Sequence, residues 1–133
     1  MRNRMMMALA IAGAVLVAGC GSTARPVTPV SGKITFKDGS NLMEGAKVVF
    51  NPVEGNLGIA TGVLSSDGSF TLTHVSGRSG AELGKYNVSL LAPDGKEKEF
   101  FGGIPSEYSG GGVLTAEVKE GMTPLDFKVE KKQ

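Results

Sequence analysis

Residues 60–73 read ATGVLSSDGSFTLT. Two short runs of alternating polarity, 60–64 and 69–73, flank Ser65-Ser66-Asp67-Gly68. Asp-Gly between such runs is a strong local signal for a β-hairpin, because the positive φ angles of a type I′ turn suit these two residues. The pattern predicts a strand on each side of the turn, with Phe70 and Leu72 facing inward.

The same alternation extends in both directions. Residues 30–36 (VSGKITF) place Val30, Gly32, Ile34 and Phe36 on one face and Ser31, Lys33 and Thr35 on the other, and Lys37-Asp38-Gly39-Ser40 makes a turn. Residues 46–50 (AKVVF) form a second strand with Ala46, Val48 and Phe50 inward, closed by Pro52 and Gly55. After a glycine-rich connection at 76–80, residues 85–91 (KYNVSLL) form a strand with Tyr86, Val88 and Leu90 inward. Residues 113–118 (VLTAEV) and 125–130 (LDFKVE) supply the last two, read as a closing pair, and 96–112 (KEKEFFGGIPSEYSGGG) is irregular. From Val30 onward no helical period is found. Seven short strands separated by turns predict an all-β chain, a seven-stranded antiparallel β-sandwich, and the absence of any βαβ unit argues against a parallel α/β sheet. The expected core is Val30, Ile34, Phe36, Val48, Phe50, Val63, Phe70, Leu72, Tyr86, Val88, Leu90, Leu114, Val118, Leu125, Phe127 and Val129.

Composition bounds the function. The chain has 133 residues, 14 Lys plus Arg against 13 Asp plus Glu, one Cys and one His. That length allows one domain plus a leader or tail. A formal net charge of +1 gives no ground for a nucleic-acid partner, which needs clustered cations facing phosphates. One Cys excludes an intrachain disulfide, and one Cys with one His is too poor a ligand set for structural zinc.

Residues 1–19 read as an address. Arg2 and Arg4 precede an uncharged run, residues 8–18 (ALAIAGAVLVA), which is too short for a membrane span and suits the apolar core of a signal peptide. The run ends in Val17-Ala18-Gly19-Cys20, and the only cysteine of the chain stands where it stops. This segment resembles the lipobox of bacterial lipoproteins, with Val17 in place of the commoner leucine. The resemblance implies cleavage before Cys20, alkylation of its sulfur with diacylglycerol, and a mature chain whose acylated N-terminus, Cys20, is held on a membrane by its acyl chains. Two or more chains anchor stably where one is marginal. The expected organisation is therefore a signal peptide over 1–19, lipidated Cys20 with a flexible tether over 20–29 (Ser, Thr, Gly and two Pro), a domain over 30–130 and a tail over 131–133.

The order of pieces within the domain carries a second resemblance. Val30-Ser31-Gly32-Lys33-Ile34, then Asp38-Gly39, Glu44-Gly45-Ala46-Lys47-Val48-Val49-Phe50, Ser66-Asp67-Gly68-Ser69-Phe70-Thr71-Leu72, Gly84-Lys85-Tyr86-Asn87-Val88 and Ile104-Pro105-Ser106-Glu107-Tyr108 follow one another. This is similar to the transthyretin-like, carboxypeptidase-regulatory-like domain of many small bacterial lipoproteins, especially those of planctomycetes. The resemblance implies an immunoglobulin-like sandwich serving as a cell-envelope accessory, facing the periplasm or exterior, with no settled activity. Fold alone carries no function.

The residues offer little chemistry. His74 is the sole general-base candidate near neutral pH, and no nearby sequence pattern supplies a nucleophile or second titrating group, so it reads as a solvated loop-edge histidine. Enzymatic relatives of transthyretin that hydrolyse 5-hydroxyisourate have paired histidines and end in Tyr-Arg-Gly-Ser. This chain ends Glu130-Lys131-Lys132-Gln133, so that activity is not expected. The glycine runs at 77–84, 102–103 and 110–112 lack the lysine and helix start of a phosphate loop and read as flexible loops. Asp38, Asp67 and Asp94 sit in turns, where aspartate is favoured by its own hydrogen bonds. Lys96 to Glu99 alternates in sign and reads as a solvated edge. No enzyme, cofactor or metal is expected.

The candidate contact segment is Phe100, Phe101, Ile104 and Tyr108, large apolar residues among glycines. Exposed, they make a patch for an envelope protein or a glycan; folded back, Phe101 and Ile104 cover the open end of the sandwich. The expectation is a non-catalytic structural or protein-interaction module tethered to a membrane. The alternative is a carbohydrate- or peptide-binding lipoprotein feeding a transporter or hydrolase, which the lack of Trp disfavours.

Overall fold

The polarity alternation closes two sheets over one core. The computed structural model describes residues 25–133. Along the chain run β1 (Val27–Thr28), β2 (Ser31–Phe36), β3 (Lys47–Pro52), β4 (Ala60–Val63), β5 (Ser69–Thr71), β6 (Thr73–His74), β7 (Ala81–Glu82) and β8 (Gly84–Leu91). A short helix α1 (Glu97–Gly103) and a 3₁₀ turn (Ser106–Gly110) precede β9 (Leu114–Val118) and β10 (Leu125–Val129). The fold is all-β with one short helix. An antiparallel sheet has the order β6-β4-β3-β8-β9, a second has the order β10-β2-β5, and β1 pairs with β7 as a two-residue ribbon.

Period-2 burial decides which side chains meet. In β3, Val48 and Phe50 are buried; in β8, Tyr86, Val88 and Leu90; in β2, Ile34 and Phe36. Phe50 joins the sheets. Its ring lies 5.7 Å from Tyr86 within its own sheet, 6.3 Å from Phe70 of β5 and 6.5 Å, edge-on, from Phe127 of β10. Gly32 faces the same core because nothing larger fits. A Cβ there would stand 2.7 Å from the Leu125 carbonyl and 2.8 Å from the Phe70 ring.

Several expectations are corrected. The described residues hold ten strands rather than seven, and the chain is not wholly antiparallel: β10 runs parallel to β2, with Phe127 opposite Ile34. β9 and β10 are therefore not a pair, since β9 borders β8 in the other sheet. Residues 60–73 form the hairpin only at its two ends, at the turn and where Thr61 pairs with Thr73. The turn is made, with Gly68 N–H donating to Ser65 O and Ser65 N–H to Ser69 O, both at 2.9 Å. Between those ends the arms part, β4 joining β3 and β5 joining β2. The turn is also not type I′. Gly68 has φ +85° while no non-glycine described residue has positive φ, and the Asp67 carboxylate instead accepts Ser69 N–H (3.0 Å) and Oγ (2.7 Å).

The reason lies in the two apolar faces. Ala60 and Leu64 are buried from one sheet while Phe70 and Leu72 are buried on the other side of the turn, so the connection arches across the core. Gly62 makes room, since a Cβ there would lie 3.4 Å from both Phe70 and Leu72 and 2.6 Å from the Thr71 carbonyl. The same arch splits the expected strand 69–73 at Leu72, because β6 returns to pair with β4. Val63 points outward and is 58% exposed. It sits opposite Lys47, which sits opposite Leu91, a solvent-side row. Leu114, Leu125 and Phe127 pack against the core only partly buried. Leu42, Leu57, Phe100, Ile104 and Tyr108 are buried instead. Among the described residues no helix is long and apolar enough to cross a membrane.

Candidate functional site

Cys20 and the signal segment 1–19 lie outside the described residues. Of the expected tether over 20–29, residues 20–24 also lie outside the described residues. Val27 and Thr28 pair with Glu82 and Ala81, so the last part of 20–29 belongs to the fold as a strap. The tail is likewise engaged. Lys131 Nζ lies 2.6 Å from Asp38 and 5.1 Å from the Phe36 ring centre, and Lys132 N–H donates to Gly103 O at 3.0 Å.

The segment 96–112 is folded rather than irregular. Phe100 lies in α1, Ile104 is the extended residue that caps its end, and Tyr108 lies in the 3₁₀ turn after Pro105. All three side chains are inserted into the core, leaving Phe100 and Ile104 only 2% exposed and Tyr108 4%. Phe101 is half-buried with its ring edge-on to Phe100 at 5.0 Å. The Tyr108 hydroxyl accepts Glu130 N–H at 3.0 Å, tying the segment to the end of β10. The expectation of an exposed patch made by Phe100, Ile104 and Tyr108 is thus corrected: these are plug residues. Burying three such side chains stabilises by about 1.5–3 kcal/mol each relative to exposure, more than flexible glycines cost. The run Lys96–Glu99 is the first turn of this helix, with Lys96 Nζ 3.5 Å from Glu99 Oε2, and not a strand edge.

His74 is corrected too. It is 6% exposed and paired with Glu82, also 6%. Its Nδ1 accepts Ser76 N–H at 3.1 Å, which places the proton on Nε2, and Nε2–H donates to Glu82 Oε1 at 2.5 Å. Ser76 Oγ lies 2.7 Å from Nδ1 and accepts Arg78 Nε–H at 2.9 Å, while Arg78 Nη1 donates to Arg25 O at 2.8 Å. Gly58 N–H donates to the same Glu82 oxygen at 3.1 Å, and Tyr86 OH donates to the Glu82 carbonyl at 2.7 Å. Gly58 must be glycine here, because a Cβ would stand 2.5 Å from His74 Nε2. Burial pushes the Glu82 carboxyl up, but the hydrogen bonds from Gly58 and His74 outweigh it and hold the group below its ordinary range. Burial, then the nearby Glu82 charge, pushes the Tyr86 phenol up.

Sequence reasoning missed Glu82 and Ser76. Glu82 lies in the run read as a flexible glycine loop, and its one signal was an acid between Ala81 and Leu83 at helical or strand spacing from nothing. The partner of His74 becomes visible only when β7 is laid beside β6. Chemically, this cluster is a closed node. The Nδ1 lone pair is engaged by the Ser76 amide of its own turn, and Glu82 Oε1 takes both Gly58 N–H and His74 Nε2–H. Among the described residues no buried side-chain polar atom lacks a partner, and no group of three His, Cys, Asp or Glu could hold a metal.

Comparison with protein families, with curated proteins and with solved structures found no match.

Proposed function

We propose that this chain is a membrane-anchored lipoprotein of the cell envelope whose domain is a non-catalytic structural or protein-interaction module. The fold we assign it is an immunoglobulin-like, transthyretin-like β-sandwich. The observation that carries the anchoring is the position of Cys20, the only cysteine, at the end of an apolar run that follows Arg2 and Arg4. A consistent feature supports it: the first strand among the described residues begins at Val27, seven positions after Cys20 in sequence. Two sheets sharing one aromatic-centred core support the sandwich reading. The closed state of the His74 node supports a structural role for the sole histidine, because general-base work needs a ring nitrogen free to take a substrate proton.

The test is intact-mass analysis and detergent partition of the protein expressed with its leader. The expected result is a chain beginning at Cys20 and carrying acyl mass, with Cys20→Ser moving to the aqueous fraction. An unmodified chain beginning elsewhere overturns the anchoring. Hydrolysis of an ester, amide or glycoside that is lost in Ser76→Ala overturns the non-catalytic reading.

A further inference from the structure

The chain enters the domain at one end of the five-stranded sheet. Register places β3 ending at Pro52 beside Tyr86, β4 beginning at Ala60 beside His74, and β8 beginning at Gly84 beside Val118. The strap β1 lies on β7 at this same end. Val53, Ile59, Val75 and Leu83 all fall here, 58%, 43%, 74% and 41% exposed. Val53 is tied to Lys85 and Val75 to Ile59 by backbone hydrogen bonds, so these side chains are held on strand ends. Leu83 also lines a shallow recess with Pro26, Val27 and Pro29 of the strap. At the far end of the sheet the solvent-side row is interrupted by Lys47, which pairs with Asp94 at 2.7 Å between Val63 and Leu91.

We infer that this strap end is a lipid-docking surface: the domain rests on the bilayer through Val53, Ile59, Val75 and Leu83. The inference builds on the proposed anchor at Cys20. Cys20 is five residues from Arg25 in sequence, a separation of at most ~18 Å for fully extended chain. The strap then fixes which end hangs toward the anchor. An exposed apolar crown within that reach lowers its free energy by entering the interfacial zone, where amphipathic surfaces settle about 5–10 Å deep. Charge plays a small part. Arg25, Arg78, Lys85 and Lys119 share this end with Glu54, Glu82, Glu117 and Glu120, so the mixture gives no net pull toward anionic lipid. The docking is accordingly apolar and insensitive to salt.

The chain has no tryptophan, so a single introduced one reports its own depth. Full-length protein carrying Val75→Trp is purified from membranes and reconstituted in phosphatidylcholine vesicles with plain or brominated acyl chains. Val63→Trp, at the far end, serves as control, and Ile59→Trp repeats the measurement should position 75 perturb the strand end. Bromolipid should roughly halve the emission of the tryptophan at 75 and leave that at 63 unchanged, at low and high salt alike. Equal emission from 75 in both vesicle types, or quenching that vanishes with salt, overturns the docking surface. Intact mass of the same preparation reads the anchor separately. Acylated protein without quenching at 75 sinks the docking and leaves the anchor standing. Should intact mass show the membrane-purified protein to be unacylated, that mass sinks the anchor, and quenching at 75 still supports the surface.

Discussion

The plug segment 97–110 and the strap end of the sheet are both glycine-rich in sequence and opposite in what they bury. The plug reads as an irregular glycine-rich segment whose large apolar side chains are either offered outward or folded back over the sandwich, and Phe100, Ile104 and Tyr108 are buried. The strap end reads as flexible glycine-rich connection, yet it contains a buried carboxylate, a buried histidine and four of the exposed large apolar side chains. The difference teaches that local composition reports which side chains want to leave water, while the ends of the sheets decide which of them can. The plug has an open flank between β8 and β10 to fill. Val75 and Ile59 stand at strand ends where the core is already closed by Leu57 and Tyr86.

Removing a plug side chain breaks the contrast most severely. Phe100→Ala should cost about 3–5 kcal/mol, since a cavity is left under a segment that cannot collapse into it. Thermal unfolding should show a large drop in Tm, of a size that partly unfolds a small domain at 37 °C. A Tm shift within error would return Phe100 to the surface and restore the exposed-patch reading.

Opening the polar node should come next. His74→Ala leaves Glu82 buried with one remaining donor, Gly58, and should cost about 3 kcal/mol. The node also has a pH signature. Glu82 is held below its ordinary value of 4.5 in the fold, so the unfolded chain binds the proton more readily. Its contribution to stability is therefore complete above pH 4.5 and is lost as pH falls through the folded value. Glu82→Gln should flatten that part of the acid limb in denaturant titrations from pH 7 to 3. An unchanged slope would show that the carboxyl titrates alike in the folded and unfolded chain, and a steeper one that it is held protonated in the pair.

The mildest change sharpens the contrast by loosening only the strap. Gly80 has φ +114°, and a Cβ there would stand 1.9 Å from the Thr28 carbonyl. Gly80→Ala should cost about 1–3 kcal/mol and detach β1. Amide hydrogen exchange should quicken over 27–28 and 81–82 while residues of β3 and β8 stay protected. Uniform quickening would mean that the strap and the sheet unfold as one unit.

Much of the sheet was legible residue by residue. Ile34, Val48, Phe50, Tyr86, Val88 and Leu90 alternate with polar neighbours, and period 2 admits one inward face for each run. The reach of the Tyr86 hydroxyl to a backbone partner was also legible, because a buried phenol needs one. The helix at 97–103 was hidden because glycines 102 and 103 and Pro105 punctuate its apolar spacing. The arch at 65–68 was misread because Asp-Gly specifies a tight reversal and says nothing about whether the emerging strands stay together. Val63 was misassigned because residues 60–64 carry apolar side chains on both faces, and only pairing with Lys47 chooses the outward one.

By itself, then, the sequence determined an all-β domain, the inward parity of its main strands, its turns at Gly39, Gly68 and Gly95, and the singular position of Cys20. These are local properties, set by side-chain alternation and by the φ angles glycine alone tolerates without strain. Tertiary structure alone decided which strands became neighbours, that β10 lies parallel to β2, that Phe100, Ile104 and Tyr108 plug the core, and that His74 meets Glu82. Those are contacts between residues far apart in the chain or turned by a bend, and no short-range preference distinguishes one partner from another. Burial of the shared core does so, because each of these arrangements removes apolar surface or satisfies a buried polar group that its alternatives leave in the wrong medium.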